Sequence, residues 1–232
     1  MLYSLKDVQG NIRNREGKRV FYLGKGDNLT SEARDYLLRE RIPILPGESA
    51  RREKWALSVG GWTETKPEHF THLNGDVLVP KNHRRIRFRG KLDTLEGELL
   101  FCQLQCPEIA GPVGEILGYV RDLLRREVLE EPVPEEKLLG LTEAELRRHS
   151  HFPQDYYGQP HFMPEAADGK AVIFLNACRC AAREAEIAAV DAFTDRDGLP
   201  IREDLLRGMN RLSSALYLLM IRQKAAKEGR RK

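Results

Sequence analysis

Apolar residues along the 232-residue chain follow two regimes, with the change near residue 66. Before it the pattern is short and mixed. "RVFYLG" (19–24) is a run of strand formers ending in glycine. "LTSEARDYLLRERIPIL" (29–45) predicts a short helix with an extended exit. Thr30 or Ser31 caps that helix, Leu29, Ala33, Tyr36 and Leu37 give it one apolar face, and Pro43 stops it. From Pro46 to Pro67 the chain is charged, contains glycines and is weakly periodic, which reads as a linker or mobile loop.

Spacings of three and four dominate afterwards. Leu92, Leu95, Leu99, Cys102 and Cys106 mark a helix closed by Pro107, and Val113, Ile116, Leu117, Val120, Leu123 and Leu124 mark another. "PVPEEK" (132–137) breaks the chain, and "LTEAELRRHS" (141–150) restarts it with Thr142 and Glu145 spaced as a capping box. Helices are expected over 171–193 and over 201–227, the latter with Leu205, Met209, Leu212, Leu216 and Leu219 on one face. The expected class is therefore mainly α. A helical bundle (67–227) follows a small α/β N-terminal extension and linker (1–66), and a short basic tail (228–232) ends the chain.

Both late helices interrupt their apolar faces. At about 100° per residue, Asn176, Arg179, Arg183 and Glu186 fall within about 80° of one another. Asn210, Ser213 and Tyr217 form a second stripe on the last helix. One such stripe is also what a helix–helix hydrogen-bond seam looks like. Two, one with a pair of arginines, call for acidic partners or an anionic ligand, because a buried unpaired charge costs several kcal/mol. The planar guanidinium fork suits carboxylate and phosphate alike.

Composition narrows the picture little. The formal net charge is +3, with 38 basic against 35 acidic residues, so bulk charge gives no reason to expect nucleic acid. No apolar run reaches the ~18 residues of a membrane span. The first residues lack the apolar core of a signal peptide, which predicts a cytoplasmic protein. Locally, Lys81, His83, Arg84, Arg85, Arg87, Arg89 and Lys91 crowd the approach to the first bundle helix, either as a polyphosphate or nucleic-acid footprint or as a solvated helix entrance. No GxxxxGK[ST] loop accompanies them. Of the four cysteines, Cys102/Cys106 and Cys178/Cys180, the first pair is spaced i, i+4 as two ligands of a shared metal would be, but small core side chains in a reducing cytosol are the preferred reading.

Six segments taken in order, "THLNGDVLVPK", "RIRFRGKLDTLEG", "LLGLTEAELRRHSH", "FMPEAADGK", "LNACRCAAREAE" and "LLRGMNRLSSALYLLMI", resemble the ATP:cob(I)alamin adenosyltransferases, most closely the ethanolamine-utilization type, over roughly residues 70–222. The most specific part is RxxxRxxE (Arg179, Arg183, Glu186) followed by NRLSS from Asn210. Two departures stand out: the family's N-terminal phosphate loop is degenerate here (Thr71 to Asp76), and Ser214 replaces the aspartate of NRLSD.

The resemblance implies a five-helix bundle that assembles as a homotrimer, a dimer being the alternative, with ATP at subunit interfaces. It implies transfer of the 5′-deoxyadenosyl group of ATP to cobalt of cobalamin. By the same likeness, Arg179, Arg183 and Glu186 would be catalytic together with Asp93, which pairs an arginine. Thr71, His72, Lys81, Arg85 and Asn210 would bind ATP, with Mg²⁺ arriving on the triphosphate. Phe162, backed by Phe152 and Tyr156, would fill the lower face of the corrin, although a loop aromatic closing the core gives the same pattern. Expected partners are ATP and the corrinoid, a reductase and an adenosylcobalamin-dependent lyase, in the cytoplasm or associated with a bacterial microcompartment, with neither nucleic acid nor membrane. A non-catalytic adenosylcobalamin or ATP carrier, or a regulatory module, is the alternative reading. Some members of this type carry a histidine and a CCxxC cluster for a transition metal. The corresponding region here has His69 and no cysteine, so activity with Mg²⁺ alone and no bound iron or zinc is expected.

Overall fold

The computed structural model describes residues 2–15, 17–47, 55–63, 65–75 and 77–229. They form two compact units: residues 1–83 with 128–130, and residues 84–127 with 131–232. The expected junction at 66/67 thus lies inside the first unit, whereas Asp76 and the tail residues 230–232 lie outside the described residues.

The first unit is built from short pieces: β1 (Leu2–Tyr3), α1 (Leu5–Asn11), β2 (Arg13–Arg15), β3 (Lys18–Leu23), β4 (Asn28–Leu29), α2 (Ser31–Arg39) and β5 (Ile44–Pro46). As expected, the apolar run of 19–24 forms strand β3, which ends before Gly24, and α2 is capped by the Thr30 side chain, which accepts from the Ala33 N–H. β3 pairs antiparallel with β2 and parallel with β5, and Val8, Phe21, Ala33 and Leu37 form the buried centre. The helix α1 has no counterpart in the sequence reading; its seven residues are held by a reciprocal cap between Ser4 and Asp7.

The linker expected over 46–67 is corrected where it is described. Residues 55–63 form a hairpin of β6 (Trp55–Leu57) and β7 (Trp62–Thr63). Gly60 and Gly61, both at positive φ, supply the left-handed turn that such a tight connection needs. This hairpin continues into β9 (Val77–Pro80), which pairs with β8 (Phe70–Asn74), giving a four-stranded sheet in the order β7-β6-β9-β8.

The regular elements of the second unit are helices: α3 (Arg84–Gln105), α4 (Ala110–Leu129, its last two residues counted with the first unit), α5 (Glu143–His151), the short α6 (Pro153–Tyr157), α7 (Lys170–Phe193) and α8 (Glu203–Gly229). The chain as a whole is mainly α with an α/β N-terminal part, as the sequence implied. α3 begins earlier than Leu92 because Phe88, fully buried, extends the apolar register back into the basic stretch. α7 packs against both α3 and α8. Its inward face is rich in alanine (Ala182, Ala185, Ala189), so the neighbouring helices come close and their leucines do the filling. At Gly208 of α8, a Cβ would lie 2.9 Å from Leu123 and 3.0 Å from the Tyr119 hydroxyl of α4, so even a methyl group must displace its neighbours. The Thr142–Glu145 capping box opens α5 as the spacing required.

The entry to α8 is clasped electrostatically. Asp204 takes the Arg202 guanidinium at 2.8 Å and the Val133 N–H at 2.8 Å. Burial works against ionisation there, but the guanidinium and the backbone N–H groups together bring the carboxyl down to about 2.

Candidate functional site

The polar stripe of α7 sets the frame. Arg179 reaches back to the Asn176 side-chain oxygen at 3.2 Å, one helical turn away. Among the described residues neither Arg179 nor Arg183 has an ion-pair partner. Both line a cleft of about 250 Å³ closed by Ser150 and His151 at the end of α5, by His161 of the following loop, and by Ser213, Ser214 and Tyr217 of α8. Burial pushes the Glu186 carboxyl up, against the pull of the nearby Arg183 and Arg211. Asn210 is exposed one turn before the α8 hydroxyls, and its carbonyl accepts from Ser213 Oγ at 3.3 Å and Ser214 Oγ at 3.5 Å.

One wall is fixed by a short relay. His161 Nε2 lies 3.1 Å from the His151 carbonyl, which can only accept, so Nε2 carries a proton. In the neutral ring Nδ1, 3.1 Å from the Tyr217 hydroxyl, then accepts from it, while that hydroxyl accepts the Phe162 N–H at 3.3 Å. The His161 ring also stacks on Tyr217, within 7° of parallel. The loop is thereby tied to α8 above the cleft.

A larger cleft, about 700 Å³, lies between α5 and α8 and shares His151 with the first. Glu135 and Glu143 both face Arg207, at 3.6 and 3.2 Å. Arg147, Arg148 and Arg211 also line it, and among the described residues none of the three has an ion pair. Arg211 Nε is buried without a hydrogen-bond acceptor.

The other sequence-derived residues divide. Arg85, expected on ATP, is instead committed to a carboxylate: its Nε lies 2.5 Å from Glu127 Oε1, and Arg89 Nε lies 2.6 Å from Glu127 Oε2. The Glu127 side chain is 0% exposed, and the two guanidiniums supply the compensation that such burial requires. Arg84 and Arg87 face Asp191, each at 3.5 Å, and Lys91 faces Glu184 at 2.6 Å. The cations at 84, 85, 87, 89 and 91 thus each face a carboxylate of the bundle, buried at Glu127 and solvent-exposed at Asp191 and Glu184.

Asp93 is exposed and, among the described residues, has no arginine paired to it. Thr71 and His72 lie on β8 and Lys81 in the turn after β9, all in the first unit. Of the aromatics, Phe162 is half-buried against the core, stacked near Tyr217 with Lys224 Nζ 4.3 Å from its ring centre. Phe152 and Tyr156 do not back it. They are exposed, Phe152 on the larger cleft and Tyr156 stacked 3.7 Å from His149. Cys102, Cys106 and Cys178 are core side chains, with a Cys102–Cys178 hydrogen bond that pushes the Cys178 thiol far up.

Sequence reasoning missed Glu127, His161, Arg147 and Arg211. For Glu127 a signal existed: it continues the buried series Val113, Ile116, Val120, Leu123 at a position where every other member is apolar. Arg147 and Arg211 come to the larger cleft only through the tertiary approach of α5 to α8, and His161 comes to the smaller one through the loop that Tyr217 ties down.

Known proteins carry the same region. The chain is 35% identical over 157 residues to the corrinoid adenosyltransferase EutT of Salmonella typhimurium strain LT2, covering 67% of this chain and 59% of that protein. It is 34% identical over 157 residues to the corrinoid adenosyltransferase EutT of Escherichia coli K12, with the same coverage. The match thus spans about 59% of the length of these relatives. The cobalamin adenosyltransferase family model matches residues 62–223, which take in both polar stripes and the clefts they line, and the chain belongs to that family.

Proposed function

We propose that this protein transfers the 5′-deoxyadenosyl group of ATP to cob(I)alamin. The Co(I) electron pair attacks C5′, a cobalt–carbon bond forms, and the C5′–oxygen bond breaks with its electrons leaving on triphosphate. Nothing here needs a protein nucleophile or base; the demands are alignment and stabilisation of charge on the leaving group. The observation that carries the reading is the pair of arginines without carboxylate partners, Arg179 and Arg183, beside the Ser213 and Ser214 hydroxyls in one cleft. That set suits the triphosphate. Glu186 and Asn210 position it, Glu186 through Arg183, and Thr71, His72 and Lys81 are proposed as further ATP contacts. The cleft offers cations and hydroxyls rather than a carboxylate cage, which supports Mg²⁺ entering as a chelate of ATP and not as a resident ion. Phe162 and the exposed Phe152 and Tyr156 are the aromatic candidates for the corrin.

Self-association is part of the same proposal. α3 leaves Leu100, Phe101 and Leu104 exposed at 46, 51 and 75%, beside the exposed Asp93 a few turns earlier. A second copy covering that face would bury the leucines and give Asp93 an arginine across the interface, in a homotrimer with a dimer as the other outcome of a mass measurement. A cytoplasmic setting, or a microcompartment, with a reductase upstream and an adenosylcobalamin-dependent lyase downstream, completes the reading.

Protein, ATP, Mg²⁺ and chemically reduced cob(I)alamin are mixed and the absorbance followed. Adenosylcobalamin is expected; none above the enzyme-free control overturns the reading. Metal analysis of protein purified without chelators is expected to give no stoichiometric iron or zinc, and such a metal lost together with activity would reverse that expectation.

A further inference from the structure

We infer that the α5–α8 cleft holds the nucleotide tail of the corrinoid, through its phosphodiester, while the smaller cleft holds the triphosphate. The inference rests on the adenosyltransferase reading and extends it to how one substrate is told from its simpler analogues. Arg207 absorbs both cleft carboxylates, Glu135 and Glu143, leaving Arg147, Arg148 and Arg211 without an ion pair among the described residues; Arg211 donates from Nη1 to the Glu143 carbonyl at 3.4 Å and lies near enough to Glu186 to feel its charge, but neither contact is a salt bridge. Arg211 keeps a buried Nε with no acceptor, a donor waiting for one. The cleft's roughly 700 Å³ is within the range of small-ligand sites.

The two substrates carry two anionic groups: the triphosphate of ATP, which leaves, and the phosphodiester that links cobalamin's ring side chain to its base, which is unchanged by the reaction. Arg179 and Arg183 already serve the first. A second set of unpaired guanidiniums in the adjoining cleft, joined to the first by His151, matches the second anion. Phe152, 57% exposed on the cleft wall, offers a flat apolar surface to the base that the phosphodiester carries. Binding the tail here would also keep that base away from cobalt, which favours the Co(I) state by removing a lower ligand.

The test compares cobalamin with cobinamide, the corrinoid without a nucleotide loop. Arg147 and Arg148 are exposed on α5, so the double variant Arg147→Ala/Arg148→Ala should keep its fold. Its KM for cobalamin should rise about tenfold or more, the loss expected of charge-assisted hydrogen bonds, with KM for cobinamide and for ATP unchanged. An equal rise for both corrinoids, a rise for ATP, or no rise overturns the inference, and the ATP result would assign the cleft to triphosphate. Equilibrium binding of the two corrinoids to wild type and variant is measured alongside. Should wild type turn over neither corrinoid, the transferase reading falls alone, and loss of the wild-type preference for cobalamin in the variant, or its persistence, still decides the cleft.

Discussion

α3 and α7 lie side by side and each carries arginines that look alike in the sequence, yet they use them in opposite ways. On α3, Arg85 and Arg89 close on the buried Glu127, and Arg84 and Arg87 meet Asp191. On α7, Arg179 meets only a neutral amide and Arg183 meets no carboxylate within pairing distance. The denser basic cluster is therefore the structural one. A cation contributes to binding when the fold declines to neutralise it, and density along the chain says nothing about that. The contrast is exposed to experiment at both ends.

The largest effect is expected at the centre of the paired set. Glu127→Ala removes the buried carboxylate that two part-buried guanidiniums share. Breaking such a buried network is expected to lower unfolding free energy by roughly 3–5 kcal/mol, read from urea denaturation. A loss below about 1 kcal/mol would mean that both arginines simply turn to water, and that their pairing contributes little.

Arg183→Ala tests the unpaired set. Turnover should fall by ~10² or more, as for a lost charge contact in the transition state, with the helical circular dichroism and unfolding midpoint of the wild type. Full activity with a lowered midpoint would move Arg183 into the structural class and erase the contrast.

Asp204 sharpens the comparison with a pair on neither helix stripe. Its folded carboxyl sits at about 2 against an ordinary 3.8, so the folded state favours the charged form. The stabilisation is complete above the ordinary value and is lost as pH falls through the folded one. Wild type should exceed Asp204→Asn by about 2 kcal/mol at neutral pH, an order-of-magnitude conversion of the shift. The gap should close between about pH 4 and pH 2, measured as unfolding free energy against pH; a gap that does not close would assign it to packing.

What could be read in the sequence follows from how local each determinant is. The α5 cap, the α7 stripe and the α8 leucine face are set by residues within one or two turns, and all three form as their spacing requires. The β6–β7 hairpin escaped notice because its strands have three and two residues, too few for alternation to show, although Gly60–Gly61 marks the turn. The pairing of Arg85 with Glu127 was not legible because the partner is 42 residues away and on another helix. The α5–α8 cleft was invisible for the same reason: Arg147 and Arg211 belong to different elements, and only packing brings them to one cavity.

The smallest expected effect is the most diagnostic of the contrast itself. Arg87 is 58% exposed and lies 3.5 Å from Asp191, itself 40% exposed and already facing Arg84. Solvent screens such a pair, holding two long side chains in one geometry costs entropy, and Arg84 remains to serve the acid. Arg87→Ala should therefore change stability by less than about 0.5 kcal/mol, a difference that shrinks further at high salt. Turnover and KM for ATP should match the wild type. A tenfold rise in KM for ATP would return the basic stretch of α3 to the nucleotide site, and pairing with an acid would no longer separate structural arginines from working ones.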